Sequence, residues 1–368
     1  MLFSPAQIGG IDLKNRFVRS ATWEGMASEG GEVTTSLVNL MKLLALGGVG
    51  LIITGHAYIS PQGQASPWQL SVADDEKVDG LAWMVKEVHE VGGKIFLQIS
   101  HAGIFSSSIL DRPAPGPSNM IIENQFRKAR GREMSIREIE DVIASFAKAA
   151  QRAKKAGFDG VQIHAAHGYL LSQFLSPYFN RRTDHYGGDI GGRSRLVMEV
   201  YRAIRAGVGD EFPVIIKLNC KDFLDGGMSF EDMLFVARGL EKEGIDAIEM
   251  SGGTLISGRY IPSRRGEKKG PYYEEEARKF KRHLHTPLIL VGGIRDMETC
   301  RSLLKNEVCD FVALSRPLIR EPALIKRWME GDETPCVCAY DNLCFKPALK
   351  GEGLYCYASR RAIRDMYK

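Results

Sequence analysis

Short apolar or β-branched runs recur along the chain, most of them followed by a segment of helical periodicity. They are "RFVRSA" (16–21), "GLIIT" (50–54), "KIFLQIS" (94–100), "GVQIH" (160–164), "VIIKL" (214–218), "AIEMS" (247–251), "LILVGG" (288–293) and "FVALS" (311–315). Runs that are nearly continuous, rather than alternating, predict strands buried on both faces, as in a parallel sheet. The intervening helices are amphipathic. The clearest spans "SIREIEDVIASFAKAAQRAKKAG", where Ser135 and Glu138 make a capping-box pattern and Gly157 stands at the expected C-cap. Ile136, Ile139, Val142, Ile143, Phe146 and Ala150 share one face of it. Eight strands alternating with helices predict an α/β fold of the (β/α)8 TIM-barrel type, with an open doubly wound sheet as the alternative.

A barrel requires its chemistry to gather at the C-terminal ends of the strands. The residues there are Thr22, Gly55, Gln98 with His101, His164 with His167, Lys217, Ser251, Gly292 with Gly293, and Ser315 with Arg316. Two long connections, 102–134 and 252–275, are expected to shape or cover that mouth. The basic cluster Arg264, Arg265, Lys268 and Lys269 in the second reads as a solvated loop.

Composition narrows the partners. The chain has 368 residues, 44% hydrophobic and 26% charged, with a formal net charge of +4. That is an ordinary globular balance, without the clustered basic face of a nucleic-acid binder. No apolar run is long enough to span a bilayer, and the N-terminus lacks the pattern of a signal peptide. Seven unevenly spaced cysteines suit a reducing compartment. The expectation is a cytoplasmic enzyme acting on a small molecule, away from membrane and nucleic acid.

Within the mouth, Gly292 and Gly293 allow close approach of backbone N–H groups to an anion, a helix N-terminus beyond them favours one, and Arg316 beside Ser315 adds a bidentate grip. This predicts a phosphate subsite. Gln98 offers a donor and an acceptor to a heteroaromatic edge, and Lys217 a positive charge. A non-flavin barrel enzyme with a phosphorylated substrate would use the same groups. His164 and His167 lack a carboxylate or cysteine at ligand spacing, so a metal site is not expected there.

The segments "LKNRF" (13–17), "GVGLIITG" (48–55), "SPQG" (60–63), "LQISHAG" (97–103), "AGFDGVQIHAAHGYLLSQFLSPYFNRRTDHYGG" (156–188), "VGGI" and "DFVALSRPLIREP" resemble the Old Yellow Enzyme family across residues 1–325. The resemblance implies a TIM-barrel ene reductase that carries FMN, takes electrons from NAD(P)H and reduces alkenes activated by a carbonyl or nitro group. It further implies that Gln98 meets the flavin pyrimidine, that Gly55 stands beside the ring, and that Gly293 and Arg316 hold the phosphate. Thr22 or Trp23 would lie near flavin N5 and O4. Lys217 stands where the family generally has arginine, which keeps the charge but loses the planar fork. In the family, the counterparts of His164 and His167 donate to the substrate oxygen, and that of Tyr169 supplies a proton to the α carbon. Members are often homo-oligomers. "TG" at 54–55 and "SRPLIREP" look like the dienoyl-CoA reductase branch, which implies a thioester-reducing variant.

Residues 1–330 are expected to form the barrel domain, and 331–368 a cysteine-bearing tail. Larger relatives bind a [4Fe–4S] cluster through C-x2-C-x3-C-x11-C. Here Cys344 and Cys356 keep the last spacing, whereas Cys336 and Cys338 precede them out of pattern and Asp341 replaces a cysteine. The tail is therefore expected to be metal-free. With the chain ending at Lys368, before any FAD/NAD domain, nicotinamide is expected to reduce the flavin directly.

Overall fold

The computed structural model describes residues 1–107, 113–123, 128–264 and 270–359. All eight expected runs are strands: β1 (Phe17–Arg19), β2 (Leu51–Ile53), β3 (Ile95–Ser100), β4 (Gly160–Ala165), β5 (Val214–Asn219), β6 (Ala247–Ser251), β7 (Leu288–Val291) and β8 (Phe311–Leu314). Each pairs in parallel with the next, and β8 returns to β1. The sheet is a closed barrel, so the open-sheet alternative falls away. The main outer helices are α1 (Thr35–Leu46), α2 (Val78–His89), α3 (Ile136–Lys155), α4 (Ile190–Val208), α5 (Phe230–Lys242), α6 (Glu274–Lys281), α7 (Met297–Lys305) and α8 (Leu324–Met329). On α3 the capping box of Ser135 and Glu138 is formed, and Gly157 takes a φ of +86° just beyond the C-cap.

Alternation along the strands sorts their residues into two cores. In β5, Val214, Ile216 and Leu218 pack outward under the helices, while Ile215 joins Val18, Ile53, Phe96, Ala247, Ile289 and Phe311 inside the barrel. Gly160 leaves room there for Phe96, whose ring would lie 2.6 Å from any added Cβ. The hairpin Ala6–Ile8/Ile11–Leu13 plugs the N-terminal end with Ile8 and Leu13. Sealing that end leaves the opposite mouth as the entrance to the barrel interior.

The 102–134 connection is more ordered than a bare loop. Ala114–Gly116, Met120–Glu123 and Lys128–Glu133 form a three-stranded sheet. Arg182 ties it down, donating to the carbonyls of Pro117 and Met134 while pairing with Asp184. Arg193 has a comparable structural role, donating to the carbonyls of Leu175 and Gly188 and to Asp232. Among the described residues no helix is long and apolar enough to cross a membrane.

Candidate active site

The strand ends enclose a cavity of about 390 Å³ whose wall includes Thr22, Gln98, His164, His167, Tyr169, Lys217, Gly292, Gly293, Ser315 and Arg316. Gly55 does not line it. Its N–H donates to Glu24, and a Cβ would stand 2.1 Å from that carboxylate, so glycine is required there by the buried Arg19–Glu24 pair behind the wall. His101 also lies behind it, accepting from the Gly103 N–H. Both Thr22 and Trp23 reach the cavity. Thr22 is held by Ser20 and Ser315, whereas Trp23 Nε1 is buried without a partner among the described residues.

β4 delivers His164, and the turn that follows delivers His167 and Tyr169. His167 has a φ of +64°, an uncommon conformation for a non-glycine residue. The turn is fixed by its N–H donating to Asn219, and by Gln173 donating to the carbonyls of Gly168 and Ala102. The His164 and His167 rings lie 5.1 Å apart edge to face, and Tyr169 stands 5.0 Å from His164. His167 Nε2 is 2.8 Å from Ser251 Oγ, while His164 Nδ1 is buried with no partner among the described residues.

The sequence reading passed over His56, one residue beyond Gly55. Its ring lies 6.2 Å from that of His164, and its Nε2 is 3.4 Å from the Tyr169 hydroxyl. Gln69 assigns the tautomer. Its oxygen accepts from the Ala65 N–H, so its amide nitrogen donates to His56 Nδ1. The His56 proton is therefore on Nε2, the nitrogen that lies 3.4 Å from the phenol oxygen. Extending the strand-end rule by one position would have found it.

Burial pushes His164 and His167 well below the usual histidine range, with neighbouring histidines or Lys217 adding to the effect, and holds His56 and His101 at about 4. The imidazoles are neutral at pH 7, so each carries one N–H. Because their folded pKa values lie below the unfolded value, the unfolded chain binds more protons once pH drops under about 6.5. Stability should then fall by up to ~1.4 kcal/mol per pH unit for each such histidine, until the folded pKa is reached. Urea unfolding between pH 7.5 and 4.5 measures this; a flat profile would contradict it.

Lys217 does not present a lone charge. Its Nζ is 2.9 Å from Glu249 Oε1 and 2.8 Å from Ser20 Oγ, all deep in the barrel. Glu249 and Gln162, which the sequence reading did not single out, are buried beneath the cavity and hydrogen-bonded to Ser20, Lys217 and Gln98, which line it. Their signal was a polar residue between apolar neighbours in the middle of each of two strands.

At the far end Gly292 and Gly293 have φ of +110° and +79°, and Tyr272 and the Gly270 carbonyl occupy the space a Cβ would need. Asp296 caps α7 by accepting from the Thr299 N–H. Arg316 donates to the carbonyl of Arg264, to Asn342 and to Tyr272, and lies over the Tyr340 ring. Arg264 is not solvated as expected; it is buried among the rings of Phe223, Tyr260, Tyr272 and Tyr273, 4.7–5.2 Å from their centres. Arg265, Lys268 and Lys269 lie outside the described residues.

The tail closes the cavity's side through Tyr340, Phe345 and Leu349. Cys338, Cys344, Cys356 and Asp341 border a separate cavity of about 80 Å³, where Arg320 donates to Cys356 Sγ. Burial raises the Cys344 thiol to about 12. Among the described residues no three of histidine, cysteine, aspartate or glutamate are placed to hold a metal ion.

The donor set suits a flavin mononucleotide. Gln98, Lys217, Gly292, Gly293 and Arg316 share one cavity wall with Trp23 and His164, each of which has a ring nitrogen unpartnered among the described residues. The sequence profile of the NADH:flavin oxidoreductase / NADH oxidase family matches residues 1–334. An NADH oxidase of Thermoanaerobacter brockii is 36% identical over 90% of this chain and 51% of its own length. The solved structure of 2-naphthoyl-CoA reductase with 2-naphthoyl-CoA is similar at a TM-score of 0.90 and 25% identity, covering 96% of this chain and 56% of that one. The old yellow enzyme homologue from Zymomonas mobilis is similar at a TM-score of 0.79 and 26% identity, covering 93% and 96%. The chain thus spans about half the length of the oxidase and of the naphthoyl-CoA reductase.

Proposed function

Because the chain belongs to the NADH:flavin oxidoreductase / NADH oxidase family, that of the Old Yellow Enzyme homologues, and has FMN as cofactor with NAD(P)H as reductant, we propose that it reduces carbon–carbon double bonds conjugated to a carbonyl or nitro group. The observation that carries this reading is His164 Nδ1, buried without a partner among the described residues and grouped with His167 and Tyr169 on the cavity wall. Two neutral imidazoles side by side on the cavity wall suit an oxygen that gains negative charge, since N–H groups stabilise it without a proton being transferred. Bound FMN supplies the hydride. His164 and His167 hold the substrate oxygen and so polarise the double bond, and Tyr169 gives its hydroxyl proton to the α carbon. His56, donating to the phenol oxygen, stabilises the phenolate left behind.

The likeness to 2-naphthoyl-CoA reductase supports a second substrate class within the same chemistry, an unsaturated acyl thioester. The test is anaerobic. Protein reduced by NAD(P)H should recover its absorbance near ~450 nm, the oxidised flavin band, on adding 2-cyclohexenone, a nitroalkene or an unsaturated acyl-CoA. Reoxidation by oxygen alone, with none of the three acceptors effective, would overturn the proposal.

A further inference from the structure

The polar floor of the cavity has a direction, and Glu249 sets it. This carboxylate is fully buried on β6 and does not line the cavity itself. Its two oxygens serve different arms. Oε1 accepts from the Ser20 hydroxyl at 2.6 Å and from the Lys217 ammonium at 2.9 Å. Oε2 accepts from Gln162 Nε2 at 2.7 Å, and Gln162 Oε1 in turn accepts from Gln98 Nε2 at 2.7 Å. The strand register makes this possible, because Gln98 is opposite Gln162 and Lys217 is opposite Glu249 in neighbouring strand pairs.

A carboxylate carries no hydrogen, so it can only accept. Gln162 must turn its amide nitrogen towards it and its oxygen towards Gln98. Gln98 must then turn its nitrogen towards Gln162, which leaves its oxygen for the cavity. The orientation of an amide that faces the ligand is thus decided two residues away. The same carboxylate neutralises the ammonium that faces the ligand from the next strand. A buried ammonium and carboxylate in contact have no net charge, so the ligand meets an N–H donor whose positive field is largely compensated.

We propose that Glu249 is a positioning residue for the redox chemistry, holding Gln98 as an acceptor and compensating Lys217, so that reduced FMN is less stabilised than a lone cation would make it. This rests on the reading of the cavity as an FMN site. Two-electron reduction adds a proton at N5 and leaves one negative charge over the N1–C2=O edge, which is the change that an uncompensated Lys217 would favour.

The experiment is potentiometric titration of purified holoprotein, with sulfite titration as an independent reading. Sulfite adds its sulfur lone pair to flavin N5 and places the same negative charge on the ring. Glu249→Gln should raise the potential and tighten sulfite binding by at least about tenfold, which is ~30 mV for a two-electron couple. Glu249→Asp should stay near wild type. Lys217→Met should move both readings the opposite way, and Lys217→Met/Glu249→Met should return them towards wild type, because the net charge of the pair is restored. If Glu249→Gln does not fold, comparing the double variant with Lys217→Met still reads the carboxylate's field. A purely structural Glu249 would change melting temperature or FMN content without moving the potential. FMN-loaded variants whose potentials and sulfite affinities match wild type would overturn the inference, whereas a wild-type protein that takes up no FMN would instead overturn the reading it rests on.

Discussion

Replacing His164 and His167 together with alanine is expected to slow oxidation of the reduced flavin by 2-cyclohexenone by at least ~10²–10³, the loss typical of one oxyanion donor. Flavin content should be retained. Gln98, Lys217, Gly292, Gly293 and Arg316, the groups proposed to hold the cofactor, are left in place on the cavity wall. The effect should also be the same from pH 6 to 8, because burial keeps both rings neutral throughout that range. Stopped-flow measurement of the oxidative half-reaction tests it. A double variant that is as fast as wild type would remove the pair from the reaction.

Tyr169→Phe should separate the two half-reactions. Reduction by NAD(P)H delivers hydride without needing a proton from the phenol, so its rate should be nearly unchanged. Oxidation by an alkene requires a proton at carbon, and loss of a positioned acid costs roughly 10²–10⁴. The geometry adds a corollary. The His56 Nε2–H points at the phenol oxygen at 3.4 Å, with Gln69 holding the other ring nitrogen as an acceptor. Phenylalanine leaves that N–H without its acceptor, so part of the loss belongs to His56. Following deuterium from solvent into the product's α position would show whether a proton still arrives there by another route. Equal slowing of both half-reactions would remove Tyr169 from the acid's role.

Much of the site was legible because barrels tie chemistry to strand ends, and strand ends follow from apolar runs. Gln98, His164, Lys217, Gly292, Ser315 and Arg316 were found in this way, and each lines the cavity. His56 escaped because it lies one residue past the glycine taken as the end of its strand. Gly55 was assigned to the ring by resemblance, yet its small size answers to Glu24, which reaches it from another loop. Arg264 read as solvated because a run of charge looks the same whether it faces water or, as for this one residue, four aromatic rings brought from three separate segments.

The sequence by itself determined the eight strands and their parallel pairing, since apolar runs of strand length alternating with amphipathic helices are buried on both faces in a barrel or a doubly wound sheet. Closure into the barrel was decided by the tertiary structure. The sequence also determined the capping of α3 and the identity of the groups that could meet a phosphorylated, heteroaromatic ligand. Only the tertiary structure decided what those groups are worth. Lys217 is compensated by Glu249, Gln98 is turned by Gln162, Arg316 is shared with Asn342 and Tyr272, and the tail's Tyr340, Phe345 and Leu349 complete a wall of the cavity. Hydrogen bonds and charges act over a few ångströms in space. The residues they join here are separated by tens of positions in the chain, and barrel closure and strand register bring them together.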